Sequence, residues 1–142
     1  MKDKVDKILG YALVIMLAVM TLDVLWGVFT RYVMSNQASW SEEMARFLLI
    51  WIGILGAAYA SGQRMHLSID LLKNKPVKLI ASLIILFAFG VLVLGGSRLV
   101  LLTAELGQRS PALGIPMSII YAVVPISGLL IIFYRLADFK AS

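Results

Sequence analysis

The chain has 142 residues, of which 61% are hydrophobic and 15% charged, with a formal net charge of +5 and a mean hydropathy of +0.92. The apolar fraction is higher than the core of a soluble protein of this size can bury, and the apolar residues come in long blocks. Together these features predict an all-α integral membrane protein. The lack of cysteine excludes disulfides and thiolate metal sites, and a single histidine excludes a histidine-rich metal cluster.

Four apolar runs follow one another along the chain, and each is long enough to cross a bilayer as a helix. The runs lie at about 8–29, 42–62, 77–104 and 116–134. The first run is too long for a cleaved signal peptide and lacks a small-residue cleavage pattern, so we expect it to stay as a helix. Pro125 and Gly128 predict a kink in the fourth. The whole chain, 1–142, is therefore predicted to be one domain of four transmembrane helices.

The basic residues predict how this domain is oriented. Four spans bring both chain termini to one side of the membrane, and every lysine falls on that side. The arginines on the other side or within the spans are Arg31, Arg46, Arg98 and Arg109. The positive-inside rule makes the side of the termini cytoplasmic. Between the second and third spans, residues 67–73 are too few to cross the membrane and predict a short interfacial helix.

The second span has an unusual beginning, because two adjacent carboxylates and an arginine precede its apolar part. Ser39 or Ser41 is expected to serve as the N-cap, and Ser39 with Glu42 has the spacing of a capping box. Glu42 and Glu43 then lie at the positive end of the helix dipole. Both stand within one helical turn of Arg46, so either side chain is expected to reach it.

One face of this helix combines charged and small residues. On a period of 3.6 residues, the face carries Glu43, Arg46, Ile50, Gly53, Ala57 and Ala60. Gly53 with Ala57 and Gly56 with Ala60 are small-xxx-small pairs, a spacing that lets membrane helices approach closely. We therefore predict that this face contacts protein, either within the chain or in a partner.

Three ionisable residues, Asp23, Arg46 and Arg98, fall at similar depth in the outer leaflet when the rise per residue is counted from the interface. Unpaired charges there are costly, so we predict a structural network of Asp23, Glu43, Arg46 and Arg98, in which Asp23 pairs with Arg98. An ion or proton path is the alternative. Transport sites usually lie near the midplane on broken helices, and no ionisable group falls in the inner half of the spans.

Aromatic residues and the single histidine complete the candidate positions. Trp40 fits an interfacial anchor, whereas Trp26 and Trp51 lie deeper and are expected to pack against a helix. His66 is expected either to cap the last carbonyls of the second helix or to contact a partner. Because no catalytic or nucleotide-binding motif is present, the sequence does not predict an enzyme.

Four sequence features form a recognisable combination: Arg31 after the first span, W-S-E-E-M-A-R-F-L-L-I-W at 40–51, G-A-A-Y-A at 56–60 and H-L-S-I-D at 66–70. In these features the chain resembles the small membrane subunit of tripartite ATP-independent periplasmic (TRAP) transporters. Trp40, Glu42, Glu43, Arg46 and His66 are the motif positions, although the motif assigns no role to each. The resemblance extends to the length and to the four-span topology.

This resemblance implies a protein of the bacterial inner membrane that works with a large multi-span subunit and a soluble periplasmic binding protein. The large subunit would carry the substrate and sodium sites, so no cofactor is expected in this chain, and the transported compounds would be organic acids such as dicarboxylates or sialic acids. We therefore interpret the chain as a scaffold subunit that contacts partner proteins and lipids and not nucleic acid. The alternatives are a small multidrug-type exporter using Asp23 as its proton-coupled carboxylate, and an assembly or regulatory protein without transport.

Overall fold

The structure, a computed structural model, describes residues 2–35, 38–63 and 77–141. The first two spans are α1 (Lys2–Tyr32) and α2 (Ser39–Gln63). The third consists of α3 (Val77–Phe87), a π-helical segment (Ala88–Gly95) and α4 (Gly96–Glu105), and the fourth of α5 (Met117–Tyr121) and α6 (Val123–Ala141). Four helical stretches are long and apolar enough to cross a membrane, which confirms the predicted all-α fold with four transmembrane spans.

The spans pack in an order that differs from their order in the chain. Helix α1 packs along α2, α2 packs against the fourth span, and the fourth span packs against the third. The first and third spans therefore lie at the two ends of the packing order. Most of the surface of α1 remains exposed, which is favourable in lipid because hydrocarbon solvates apolar side chains.

The core lies where α1 and the fourth span flank α2. Its buried members are Leu9, Leu55, Val123 and Tyr134, one or two from each of these spans. Gly62 of α2 makes close packing possible here, because a Cβ at this position would lie 2.9 Å from the ring of Tyr134. Small residues thus replace the hydrophobic driving force that is missing between helices in lipid.

The fourth span is interrupted three residues before Pro125 rather than kinked at Gly128. Proline lacks a backbone N–H and its ring crowds the preceding turn, so the helix breaks at Ala122 between α5 and α6. Gly128 instead lies against the π-helical segment, where a Cβ would lie 2.8 Å from Leu92. Gly96 on the third span is also closely packed against the fourth, because a Cβ there would lie 2.9 Å from the ring of Pro125.

We call the end of the bundle opposite the chain termini the distal end. It carries the connection from α1 to α2 and the connection from α4 to α5, which we call the distal loop (residues 106–116). His66 and the predicted interfacial helix at 67–73 lie outside the described residues.

Candidate functional site at the distal end

Glu43 is the best-held charged residue of the distal end. It belongs to the second turn of α2 and is only 8% exposed. Its Oε2 atom accepts hydrogen bonds from the backbone N–H groups of Ala112 at 3.0 Å and Leu113 at 2.7 Å. Bonds of this kind to an ionised acceptor are among the strong hydrogen bonds of proteins. Glu43 therefore ties the distal loop to the second helix.

Glu42, the neighbouring acid, has a different environment. Its Oε1 atom accepts a hydrogen bond from Nη2 of Arg46 at 3.1 Å, and about two thirds of each side chain is open to solvent. The two glutamates were predicted to reach the same arginine. The structure pairs Arg46 with Glu42 and turns Glu43 toward the loop, because consecutive residues point about 100° apart around a helix.

Asp23 lies on the face of α1 that packs against α2 and is also 8% exposed. Both of its carboxylate oxygens are closed to solvent and have no hydrogen-bond partner among the residues that the structure describes. Its backbone carbonyl accepts a hydrogen bond from Oγ of Ser41 at 2.9 Å. Ser41 thus links the two helices instead of capping α2, and Gly27 leaves it the space to do so.

The predicted pairing of Asp23 with Arg98 is wrong. Arg98 is exposed on α4, and the oxygens of Asp23 have no partner within the described part of the chain. The two residues belong to spans at opposite ends of the packing order, so equal depth in the membrane does not bring them together. Arg31 is likewise exposed at the end of α1. The structure therefore resolves the predicted network into separate, local interactions.

The three tryptophans differ in how far they are buried against other helices of the chain. The indole N–H of Trp51 donates a hydrogen bond to the carbonyl of Ile120 at 3.2 Å, just before the break in the fourth span. That contact confirms the expectation that Trp51 packs against a helix. Trp26 is 47% exposed and stacks on Phe29, so the same expectation is wrong for it. Trp40 is also partly exposed, as an interfacial anchor would be.

The small-residue face of α2 is open within this chain. Among the described residues, a Cβ at Gly53 or Gly56 would meet no atom within 4 Å, and Gly53 and Ala57 are exposed. Ala60 is half-buried. The helices of the chain itself do not use the two small-xxx-small pairs for close contact, so the face predicted to contact protein has no internal partner at the two glycines.

A polar groove at the end of the termini was missed in the sequence analysis. It has a volume of about 870 Å³, lies between α1 and α2, and includes Asp6, Tyr59 and Gln63 in its lining. Nε2 of Gln63 donates to Oδ2 of Asp6 at 3.4 Å. The positions are far apart in the chain, and no local motif marks them, so only the packing of the two helices reveals them.

A family model described as tripartite ATP-independent periplasmic transporters, DctQ component, matches residues 20–141. The chain belongs to this DctQ-component family. It is 31% identical over 127 residues to the sialic acid TRAP transporter small permease protein SiaQ of Vibrio cholerae, with 85% of this chain and 70% of the relative covered. The resemblance to TRAP small subunits in the sequence is therefore confirmed.

Two further relatives place the DctQ-like chain in context. The C4-dicarboxylate TRAP transporter small permease protein DctQ of Rhodobacter capsulatus is 30% identical over 101 residues, covering 66% of this chain and 44% of the relative. The isethionate TRAP transporter permease protein DctMQ of Oleidesulfovibrio alaskensis is 32% identical over 97 residues, covering 63% of this chain and 15% of the relative. In that protein, a segment similar to this chain is a small part of a much longer permease.

Proposed function

We propose that this chain is an accessory small permease subunit that braces a large multi-span membrane subunit in a TRAP transporter for organic acids. The open small-residue face of α2 is the observation that carries the proposal. A transmembrane helix of the large subunit would lie against Gly53 and Gly56, where the backbone is accessible. Membership of the DctQ-component family and the longer DctMQ relative support a partner of this kind.

The other glycines at helix contacts strengthen this assignment. Gly62, Gly96 and Gly128 each have neighbouring side chains at a distance that excludes a Cβ, so this chain uses glycine where its own helices approach closely. Gly53 and Gly56 each have an alanine four residues later, and a Cβ at either would meet no atom of the described residues within 4 Å. A glycine surface without an internal neighbour is what a heteromeric interface leaves in the isolated subunit.

This role also implies an orientation for the chain in the membrane and a division of tasks between the subunits. The termini and their lysines face the cytoplasm in the bacterial inner membrane, so the distal end faces the periplasm and contributes to the surface on which a soluble binding protein docks. Sodium coupling and the substrate site belong to the large subunit. The named relatives support an organic acid such as sialic acid or a C4-dicarboxylate as the substrate class. An exporter using Asp23 is less suited, because both carboxylate oxygens are closed to solvent.

Co-purification with a co-expressed large TRAP membrane subunit tests the proposal. Gly56→Leu fills the open face and is expected to lower the recovered complex about tenfold, the effect of losing about 1.4 kcal/mol of association free energy. Gly90→Leu is the matched control, because Gly90 also has no atom within 4 Å of a Cβ but lies on the third span. It is expected to leave recovery unchanged.

Recovery of Gly56→Leu at the level of Gly90→Leu would show that the α2 face is not the interface. Reconstitution provides a second arm: the chain alone is expected to move neither an organic acid nor a cationic drug, whereas the complex with the large subunit and the binding protein transports the acid. Proton-coupled drug uptake by the chain alone, lost in Asp23→Asn, would establish the exporter instead.

A further inference from the structure

The distal loop is a rigid element rather than a flexible connection. Apart from Arg109 and Pro111, every residue from Leu106 to Ile115 donates its backbone N–H to an acceptor within 3.2 Å. Arg109 and Pro116 form a bridge across its base, and Gly107 and Gly114 supply the positive φ angles of 59° and 67° that the tight path requires. The loop is therefore already ordered in the folded chain, so its conformational entropy is lost on folding and not on binding a partner.

Glu43 supports the loop from another span, the helix α2. The carboxylate is nearly closed to solvent, and removing a charge from water is costly unless strong hydrogen bonds replace its hydration. Both of its bonds go to the tip of the loop, at Ala112 and Leu113. A connection between two helices does not need a buried charge to hold its tip, because neutral turns suffice. This arrangement indicates that the conformation of the tip matters in itself.

The outward surface of the tip suits a protein better than a small ion. Apart from the N–H of Arg109, the amide donors of the loop are engaged by Glu43, by the end of α4 or by the loop itself. The exposed residues of the tip include the small apolar Pro111 and Ala112, and the guanidinium of Arg109 donates to the carbonyl of Gly114 at 3.3 Å. Arg31 is a further exposed cation of the distal end, where Glu42 and Glu105 are exposed acids. The partner that complements the tip offers an apolar contact and an acidic side chain for Arg109.

We propose that the distal loop is a preformed docking element for a soluble, acidic-surfaced binding protein, and that Glu43 is the positioning residue that keeps it in the docking conformation. The proposal rests on the proposed function, which supplies the soluble partner. A rigid loop binds more tightly than a mobile one because association does not have to order it and loses less conformational entropy. Glu43 itself touches the loop and not the partner.

The affinity of the transporter's soluble binding protein, measured on the two-subunit membrane complex in nanodiscs, tests the proposal. Glu43→Ala is expected to raise the dissociation constant about tenfold, equivalent to about 1.4 kcal/mol, through loss of preorganisation. Glu43→Gln keeps an oxygen for both N–H groups and is expected to stay within about twofold of the wild type. A nitroxide spin label attached to Ala112→Cys is expected to be immobile when Glu43 is present and mobile when Glu43→Ala is added, as measured by electron paramagnetic resonance.

A second pair of variants tests the contact directly and does not depend on how Glu43→Ala folds. Pro111→Trp adds bulk at the exposed tip and is expected to weaken docking about tenfold or more. Val33→Trp adds the same bulk to the other distal connection, where Val33 is exposed, and is expected to leave docking unchanged. Equal docking by Pro111→Trp and wild type, or an equal loss in Val33→Trp, would overturn the proposal, as would a mobile loop with unchanged affinity.

Failure of the proposed function gives a different result. If the wild-type chain neither co-purifies with the large subunit nor supports binding of the soluble protein, the transporter assignment itself is wrong. If the wild-type complex forms and binds the soluble protein while the Pro111 and Glu43 variants bind it equally well, only the role of the distal loop is wrong.

Discussion

Glu43 and Asp23 lie on neighbouring helices, have the same carboxylate chemistry and are equally buried at 8% exposure, yet their surroundings differ. Glu43 has two backbone N–H donors on one oxygen, whereas neither oxygen of Asp23 has a partner in the described chain. Burial of an acidic side chain in a membrane helix therefore does not by itself indicate a functional site. The donors that surround the oxygens decide what the acid does.

The cause lies in what each carboxylate faces. Glu43 is near the start of α2 and faces a loop, whose N–H groups are not used in a helical ladder and are therefore available to donate. Asp23 is in the interior of α1 and faces another helix, whose N–H groups are already bonded along the helix. A helix-to-helix contact offers side-chain donors only, and the nearby hydroxyl of Ser41 is bonded to the backbone carbonyl of Asp23.

The largest effect is expected from removing the well-held acid. Glu43→Ala leaves two loop N–H groups without their acceptor and should lower the free energy of unfolding by about 3 kcal/mol in detergent. Glu42→Ala is the matched control: its pair with Arg46 is open to solvent, so a change of about 0.5 kcal/mol or less is expected. Equal losses in the two variants would contradict the contrast between a buried and an exposed glutamate.

A smaller effect of opposite sign is expected at the other acid. Asp23→Asn keeps the shape of the side chain and removes a carboxylate that lacks partners, so it should raise the free energy of unfolding by about 1 kcal/mol. Asp3→Asn, at an exposed position of the same helix, should change little. Chemical unfolding of the purified chain measures both variants. A loss of stability in Asp23→Asn would mean that the carboxylate is stabilised within the folded chain and would contradict the contrast with Glu43.

The smallest effect is expected between Asp23 and Arg98. A double-mutant cycle on Asp23→Ala and Arg98→Ala should give additive changes within about 0.5 kcal/mol, because residues without shared contacts behave independently. The same cycle with Arg31→Ala, another exposed arginine, should give the same result. A coupling energy well above that of the Arg31 cycle would restore the ion pair that equal depth suggested.

Sequence patterns predicted the spans well because membrane insertion depends on the length and hydropathy of a segment, which are local properties. The Arg46 pair could be predicted for the same reason, since residues four apart on a helix are neighbours in any fold. The break in the fourth span was predicted near Pro125, and only its position was wrong, because proline acts on the turn that precedes it.

The four membrane spans and the family motif at the start of the second helix could be predicted from local sequence patterns. The packing of the helices was needed to show that Glu43 faces the distal loop. It was also needed to show that, among the described residues, the carboxylate of Asp23 has no hydrogen-bond partner and Gly128, unlike Gly56, has close neighbours on another span. Depth in the membrane follows from counting residues, but the direction in which a side chain points depends on which spans are neighbours. In a chain whose spans pack in the order first, second, fourth and third, that information is not local.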